Sequence, residues 1–135
     1  MLEARLKEVP FFSSLKHHEL ELIAQSIDEV DVSEGEVLAR EGDAGREFFV
    51  ILDGKVSVRR GEEQLAALGP GDFFGEMALL DDHPRMATVT ATSSGRVGVM
   101  TRQAFRTVDR SMPAVHAQIC DAIRERRSAA SASGS

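Results

Sequence analysis

Apolar residues recur at helical spacing where the chain begins. Leu2, Leu6 and Val9 fall three or four positions apart, and Pro10 closes the segment. A second helix is expected across HHELELIAQSI, where Leu20, Ile23, Ala24 and Ile27 form one face. From Val30 the period shortens. VDV and EVLA alternate, EGDAG interrupts them, and REFFVIL is an apolar run of strand length. Asp53-Gly54 links that run to KVSV and predicts a two-residue hairpin. RRGEEQ is a further turn before LAAL. In GPGD, Pro70 and Gly71 occupy the central positions of a type II turn. MATVTA and RVGVM follow as strands divided by TSSG. Seven or eight short strands with frequent turns predict a sandwich or barrel rather than a βαβ sheet.

The pattern then returns to helix. Thr101 is placed to cap RQAFRTV, and Ser111 before Met112-Pro113 opens a last helix. Met112, Val115, Ile119 and Ile123 make its apolar stripe. SAASASGS after Arg127 reads as a disordered tail. The expected architecture is therefore mainly β: N-terminal helices, a small antiparallel β roll and two C-terminal helices. One domain spans residues 1–127, with a tail at 128–135.

Composition narrows the function classes. A chain of 135 residues suits one domain with a self-sufficient core. Cys120 is the only cysteine, so no intrachain disulfide forms, which suits a reducing compartment. MLEARLKEVPFF carries charges throughout and lacks the apolar core of a signal peptide. No apolar run has membrane-spanning length. The expectation is a cytoplasmic protein without a membrane partner. The net charge of −6 argues against nucleic-acid binding by this chain alone. Its short basic cluster, RERR at 124–127, reads as a solvated helix end.

Catalytic and metal chemistry find little support. His17 and His18 lie in a helix, His83 in a loop and His116 in the last helix, so no pair has ligand spacing within a strand. Cys120 has no base beside it in sequence and reads as a packed thiol. Asp81-Asp82 reads as a solvated loop tip.

One stretch breaks the strand pattern. DFFGEMALLDDHPRMATV, from Asp72 to Val89, holds a helix-favouring turn, with Glu76 near its start and Arg85 beyond it. Gly75 permits close backbone approach. Free N–H groups at a helix start suit an anion, and an arginine beside them makes a phosphate or carboxylate clamp. Glu76 is an acceptor for hydroxyls. A sugar phosphate satisfies both residues. A plain Glu76–Arg85 ion pair holding the loop shut satisfies them too, and on physical grounds alone it ranks first.

GDFFGEMALLDDHPRMATVTA resembles the phosphate-binding cassette of cyclic nucleotide-binding domains: Phe-Gly-Glu, a small apolar helix, a variable loop, then Pro-Arg-x-Ala-Thr-Val. EGDAGREFFVILDGKVSV resembles a second landmark of that family, and order and spacing agree from about Val9 to Arg127. The resemblance implies an eight-stranded β roll, or jelly roll, with a short cassette helix and a movable C-terminal lid helix. It implies a ligand site of Gly75, Glu76, Met77, Ala78, Arg85, Met86 and Ala87. Glu76 would hold the ribose 2′-hydroxyl and Arg85 the cyclic phosphate. Gly75, Ala78, Met86 and Ala87 would offer backbone contacts. Family members that bind guanine often carry a hydroxyl after the arginine. Met86 has none, which leans toward cAMP over cGMP. The lid is expected from Arg124 or Arg127, with Ile123 as the apolar partner. The implied protein is a regulatory module and not an enzyme. It needs no cofactor besides its ligand, and its partners are a cyclic nucleotide with a homodimer mate or an effector protein. The alternatives are the sensor part of a catabolite-activator-type transcription regulator without its DNA-binding domain, or a degenerate roll that binds no nucleotide.

Overall fold

The computed structural model describes residues 2–132, with side chains throughout except those of His83 and residues 126–132. Helices α1 (Leu2–Lys7) and α2 (His17–Gln25) lead into ten strands. These are β1 (Asp28–Val32), β2 (Val37–Ala39), β3 (Ala44–Gly45), β4 (Glu47–Asp53), β5 (Val56–Arg60), β6 (Glu63–Leu68), β7 (Phe73–Phe74), β8 (His83–Pro84), β9 (Thr88–Ala91) and β10 (Gly95–Thr101). Helices α3 (Arg102–Ser111) and α4 (Pro113–Ala132) follow. Short 3₁₀ helices cover Pro10–Phe12 and Glu76–Leu79. Two antiparallel four-stranded sheets, ordered β1-β10-β4-β7 and β2-β9-β5-β6, form the expected eight-stranded roll. A two-stranded ribbon, β3-β8, stands beside them. Among the described residues, no helix is long and apolar enough to cross a membrane.

The apolar run in β4 explains how two cores share one sheet. Successive strand residues face opposite sides. Phe48 and Val50 enter a core with the helices, built around Phe11, Phe12, Ile23, Phe105, Ile119 and Ile123. Phe49 and Ile51 enter the space between the sheets, with Val56, Val89, Ala91 and Val97. A strand buried on both faces reads as a continuous apolar run, as this one does.

Three local expectations change. Asp53-Gly54 is not a hairpin. Gly54 has φ of +86°, but among the described residues no non-glycine residue has positive φ, so the predicted turn type does not form. β10 and β7 already pair both edges of β4, and the chain turns at Gly54 into the second sheet. A β-carbon there would lie 2.8 Å from the Ser94 carbonyl oxygen. The true hairpin joins β5 to β6, where Arg60 pairs with Glu63 across Gly61 and Glu62. Next, Ser111 ends α3 instead of opening α4, and Pro113 stands at the first position of α4. Finally, α4 continues to Ala132, past the expected end at Arg127, through alanines that favour helix. Residues 133–135 of the expected tail lie outside the described residues.

Other local readings hold. The Asp72 N–H donates to the Gly69 carbonyl at 2.9 Å, and Gly71 has φ of +92°, as a type II turn requires. The Ala104 N–H donates to Thr101 Oγ1 at 3.0 Å and caps α3.

Candidate functional site

The adjacent phenylalanines of β7 divide the work. Phe73 faces the helical core, 5.1 Å from the Phe11 ring centroid. Phe74 faces the other way and stacks on Phe49 at 4.7 Å, with the rings 11° apart. Gly75 then takes φ of +82°, which only glycine adopts readily, and turns the chain into the 3₁₀ helix. Its first internal bond runs from the Ala78 N–H to the Gly75 carbonyl at 3.1 Å.

Arg85 enters from the ribbon. Its N–H donates to the Asp43 carbonyl at 2.7 Å, and its carbonyl accepts from the Gly42 N–H at 2.8 Å. The backbone is thus held on both sides. Its side chain is 11% exposed. The guanidinium donates to the Glu47 carbonyl at 2.9 Å and stands 3.8 Å from the Glu47 carboxylate. Its carbon lies 5.7 Å from the Phe49 ring centroid, within cation–π range. Two glycines make the slot. A β-carbon on Gly45 would lie 2.7 Å from Arg85 Nε, and one on Gly75 would lie 2.6 Å from Nη1. Burial pushes the Arg85 pKa below its ordinary value, and the Glu47 charge opposes that shift. An arginine remains charged regardless.

These elements enclose a cavity of about 220 Å³. Gly75, Glu76, Met77, Ala78, Arg85, Met86 and Ala87 all line it, so the structure gathers every expected ligand residue around one space. Ala39, Val58, Phe74 and Val89 supply an apolar wall. Met86 stands at the mouth, 68% exposed, and its carbonyl accepts from Arg60 Nε at 3.3 Å.

The ion-pair reading of Glu76 fails. Arg85 pairs with Glu47 instead, and among the described residues Glu76 forms no ion pair with it. Glu76 is half-buried at the cavity wall. The lid expectation departs further. None of the lining residues comes from α3 or α4. Ile123 is fully buried in the helical core, so in this conformation it cannot cover a ligand. Arg124 lies 3.5 Å from Asp121 on its own helix. The side chain of Arg127 lies outside the described residues.

Sequence reasoning missed Gly45 and Glu47. Both sit about forty positions before Arg85, and only the ribbon pairing brings them to it. It also missed a neighbour of Cys120. His116 Nδ1 lies 3.8 Å from its sulfur, one helical turn earlier, and stacks on Phe105. Cys120 is nonetheless buried, and burial raises its pKa, so it is a packed thiol. Among the described residues, no group of three His, Cys, Asp or Glu side chains is placed to hold a metal.

Known proteins resemble this chain in sequence and in fold. A cAMP-dependent protein kinase regulatory subunit of Hypocrea atroviridis is 41% identical over 106 residues, which is 78% of this chain and 23% of that protein. The chain spans about a quarter of the length of the curated relatives it matches. The N-terminal domain of a transcriptional regulator from Streptomyces coelicolor A3(2) superposes with a TM-score of 0.88 at 26% identity, covering 97% of this chain and 95% of that one. The regulatory domain of Toxoplasma gondii PKA with cAMP superposes with a TM-score of 0.71 at 32% identity, covering 79% and 42%. The family model of the cyclic nucleotide-binding domain matches residues 29–111, and with the cassette geometry and these relatives it places the chain in the cyclic nucleotide-binding domain family.

Proposed function

We propose that this domain is a regulatory module that binds a cyclic nucleotide in the cassette cavity, with cAMP preferred over cGMP. The carrying observation is Arg85: a mostly buried guanidinium whose ion pair is long and reaches a partly exposed carboxylate. Burying a charge is costly unless it is well paired. A phosphate at the cavity completes that pairing with charge-assisted bonds. Glu76, on the same wall, accepts from the ribose 2′-hydroxyl. The cavity is smaller than a usual enclosed ligand pocket of roughly 300–1,000 Å³. The sugar phosphate fills it, and the base extends past Met86 at the mouth. The cAMP preference draws support from Met86, which lacks a hydroxyl, and from relatives named as cAMP-dependent kinase regulatory subunits.

Occupancy then shifts the positions of α3 and α4. Ile123 drops out as a lid, because exposing it forfeits roughly 1.5–3 kcal/mol of burial. Arg124 remains a lid candidate if α4 moves. An Arg124→Ala variant that releases a fluorescent cAMP analogue at the wild-type rate removes it.

Calorimetry with cAMP and cGMP tests the main reading. Wild type should bind cAMP more tightly, and Arg85→Ala should lose at least about 1.5–3 kcal/mol, the scale of a hydrogen bond to a charged group. Equal cAMP affinity in both proteins removes Arg85 from the phosphate role. Glu76→Gln should weaken cAMP binding much more than 2′-deoxy-cAMP binding.

A second reading has its own support. The match to the N-terminal domain of a transcriptional regulator covers nearly all of both chains. The same site would then serve as the sensor of a transcription regulator.

A further inference from the structure

Arg102, the first residue of α3, lies outside the cavity lining, yet its side chain is only 13% exposed. Its guanidinium is bonded on every side. Nε donates to the Ala78 carbonyl at 2.7 Å, and Nη1 donates to Asp82 Oδ1 at 2.6 Å. Nη2 donates to the Asp81 carbonyl at 2.9 Å and to the Gly45 carbonyl at 3.2 Å. The Arg102 N–H donates to the Arg46 carbonyl at 3.0 Å.

The partners belong to two segments. Ala78, Asp81 and Asp82 belong to the cassette. Gly45 forms the wall on the other side of the Arg85 slot, and Arg46 is its neighbour in the chain. The guanidinium itself rides on the first turn of α3. One planar group therefore fastens both flanks of the phosphate-facing arginine to the helix that leads into α4. A rigid five-donor fork suits this task, and a lysine, with a point charge on a flexible stem, does not. The exposed Asp82 contact adds little, because exposed ion pairs are weak. The three carbonyl bonds are the tie.

We propose that Arg102 is a positioning residue. It holds the cassette turn and Gly45 in register around Arg85, and it transmits occupancy of the site to α3. The second half rests on the cyclic nucleotide reading above; the first does not.

Hydrogen exchange on the full chain, with Arg102→Lys beside wild type, tests both halves. In ligand-free protein, the variant should exchange amides at residues 76–82 roughly tenfold faster, the scale of one lost charge-assisted bond. Amides of β4 and β10 should be unchanged. With cAMP, wild type should gain protection at 76–82 and again at 102–108. The variant should keep the first gain and lose the second. A merely structural role would not separate them. Unchanged exchange at 76–82 in the ligand-free variant overturns the positioning role. Protection at 102–108 that survives in the variant overturns the transmission. If cAMP protects nothing in wild type while the ligand-free difference appears, the nucleotide reading fails and the positioning role stands.

Discussion

Arg85 meets Glu47 twice. Its guanidinium donates to the Glu47 carbonyl at 2.9 Å, while the Glu47 carboxylate stands farther off, at 3.8 Å. The short bond fixes the side chain, and any residue at position 47 supplies that carbonyl. The carboxylate adds negative charge beside a site that would receive an anion.

Glu47→Gln should therefore strengthen cAMP binding. The expected gain is severalfold, up to about 1 kcal/mol, because the carboxylate is 43% exposed and solvent screens it. Raising the salt concentration should shrink the difference. Weaker binding by the glutamine variant in low-salt titrations would show that the carboxylate orients Arg85 more than it competes with the phosphate.

The two glycines of the slot should respond differently to alanine. At Gly45 the three atoms nearest the added carbon all belong to the Arg85 side chain, and φ is not positive. Gly45→Ala should displace the guanidinium and lower affinity at least tenfold, with little change in melting temperature. At Gly75 the added carbon also meets the Glu47 carbonyl at 2.8 Å, and φ is +82°. Gly75→Ala should lose binding and also about 1–2 kcal/mol of stability, the cost of a left-handed conformation for an alanine. Calorimetry and thermal melts on both variants check the contrast. Equal stability losses would refute it.

Met86→Thr tests base preference without a folding cost, since the side chain is 68% exposed. A gained hydroxyl bond is worth about 0.5–1.5 kcal/mol, so cGMP should improve severalfold relative to cAMP. Competition titrations read this directly, and a wild type that already prefers cGMP contradicts the assignment.

Two titrations have opposite signs. The Arg102 hydrogen bond, followed by its charge, holds the Asp82 carboxyl below the ordinary value. That contact is present above the unfolded pKa of about 3.9 and is lost as pH falls through the folded value. Its carboxyl carbon signal should titrate at higher pH in Arg102→Gln. Burial raises the Cys120 pKa. The stabilisation of its thiol form is present below the unfolded value of about 8.5 and is lost as pH rises through the folded one. Iodoacetamide should label native Cys120 far more slowly than the urea-unfolded chain at pH 8.

The cassette was legible because it is local. Phe74 to Ala87 carry the turn, the cavity wall and the arginine within one stretch, so adjacency in sequence is adjacency in space. Thr101 and Pro70-Gly71 were legible for the same reason. Glu47, Gly45 and Arg102 were not, because strand pairing brings them to the site. Asp53-Gly54 misled because a hairpin needs a free strand edge, and pairing by β7 and β10 cannot be seen from two residues. Ile123 misled because an apolar stripe does not say whether it faces a core or a ligand.

The order of strands in the first sheet sets a timetable for synthesis. β1 and β4 do not pair with each other; both wait for β10, which ends at Thr101. A growing chain released before that point carries Phe48 to Ile51 without a partner on one edge. Such a segment is apolar, rich in strand formers and uncharged, the profile of an aggregation nucleus. Chains cut short between β4 and β10 should therefore precipitate instead of accumulating as partly folded domains, and a ribosome pausing before Thr101 would hold this protein at its most vulnerable length.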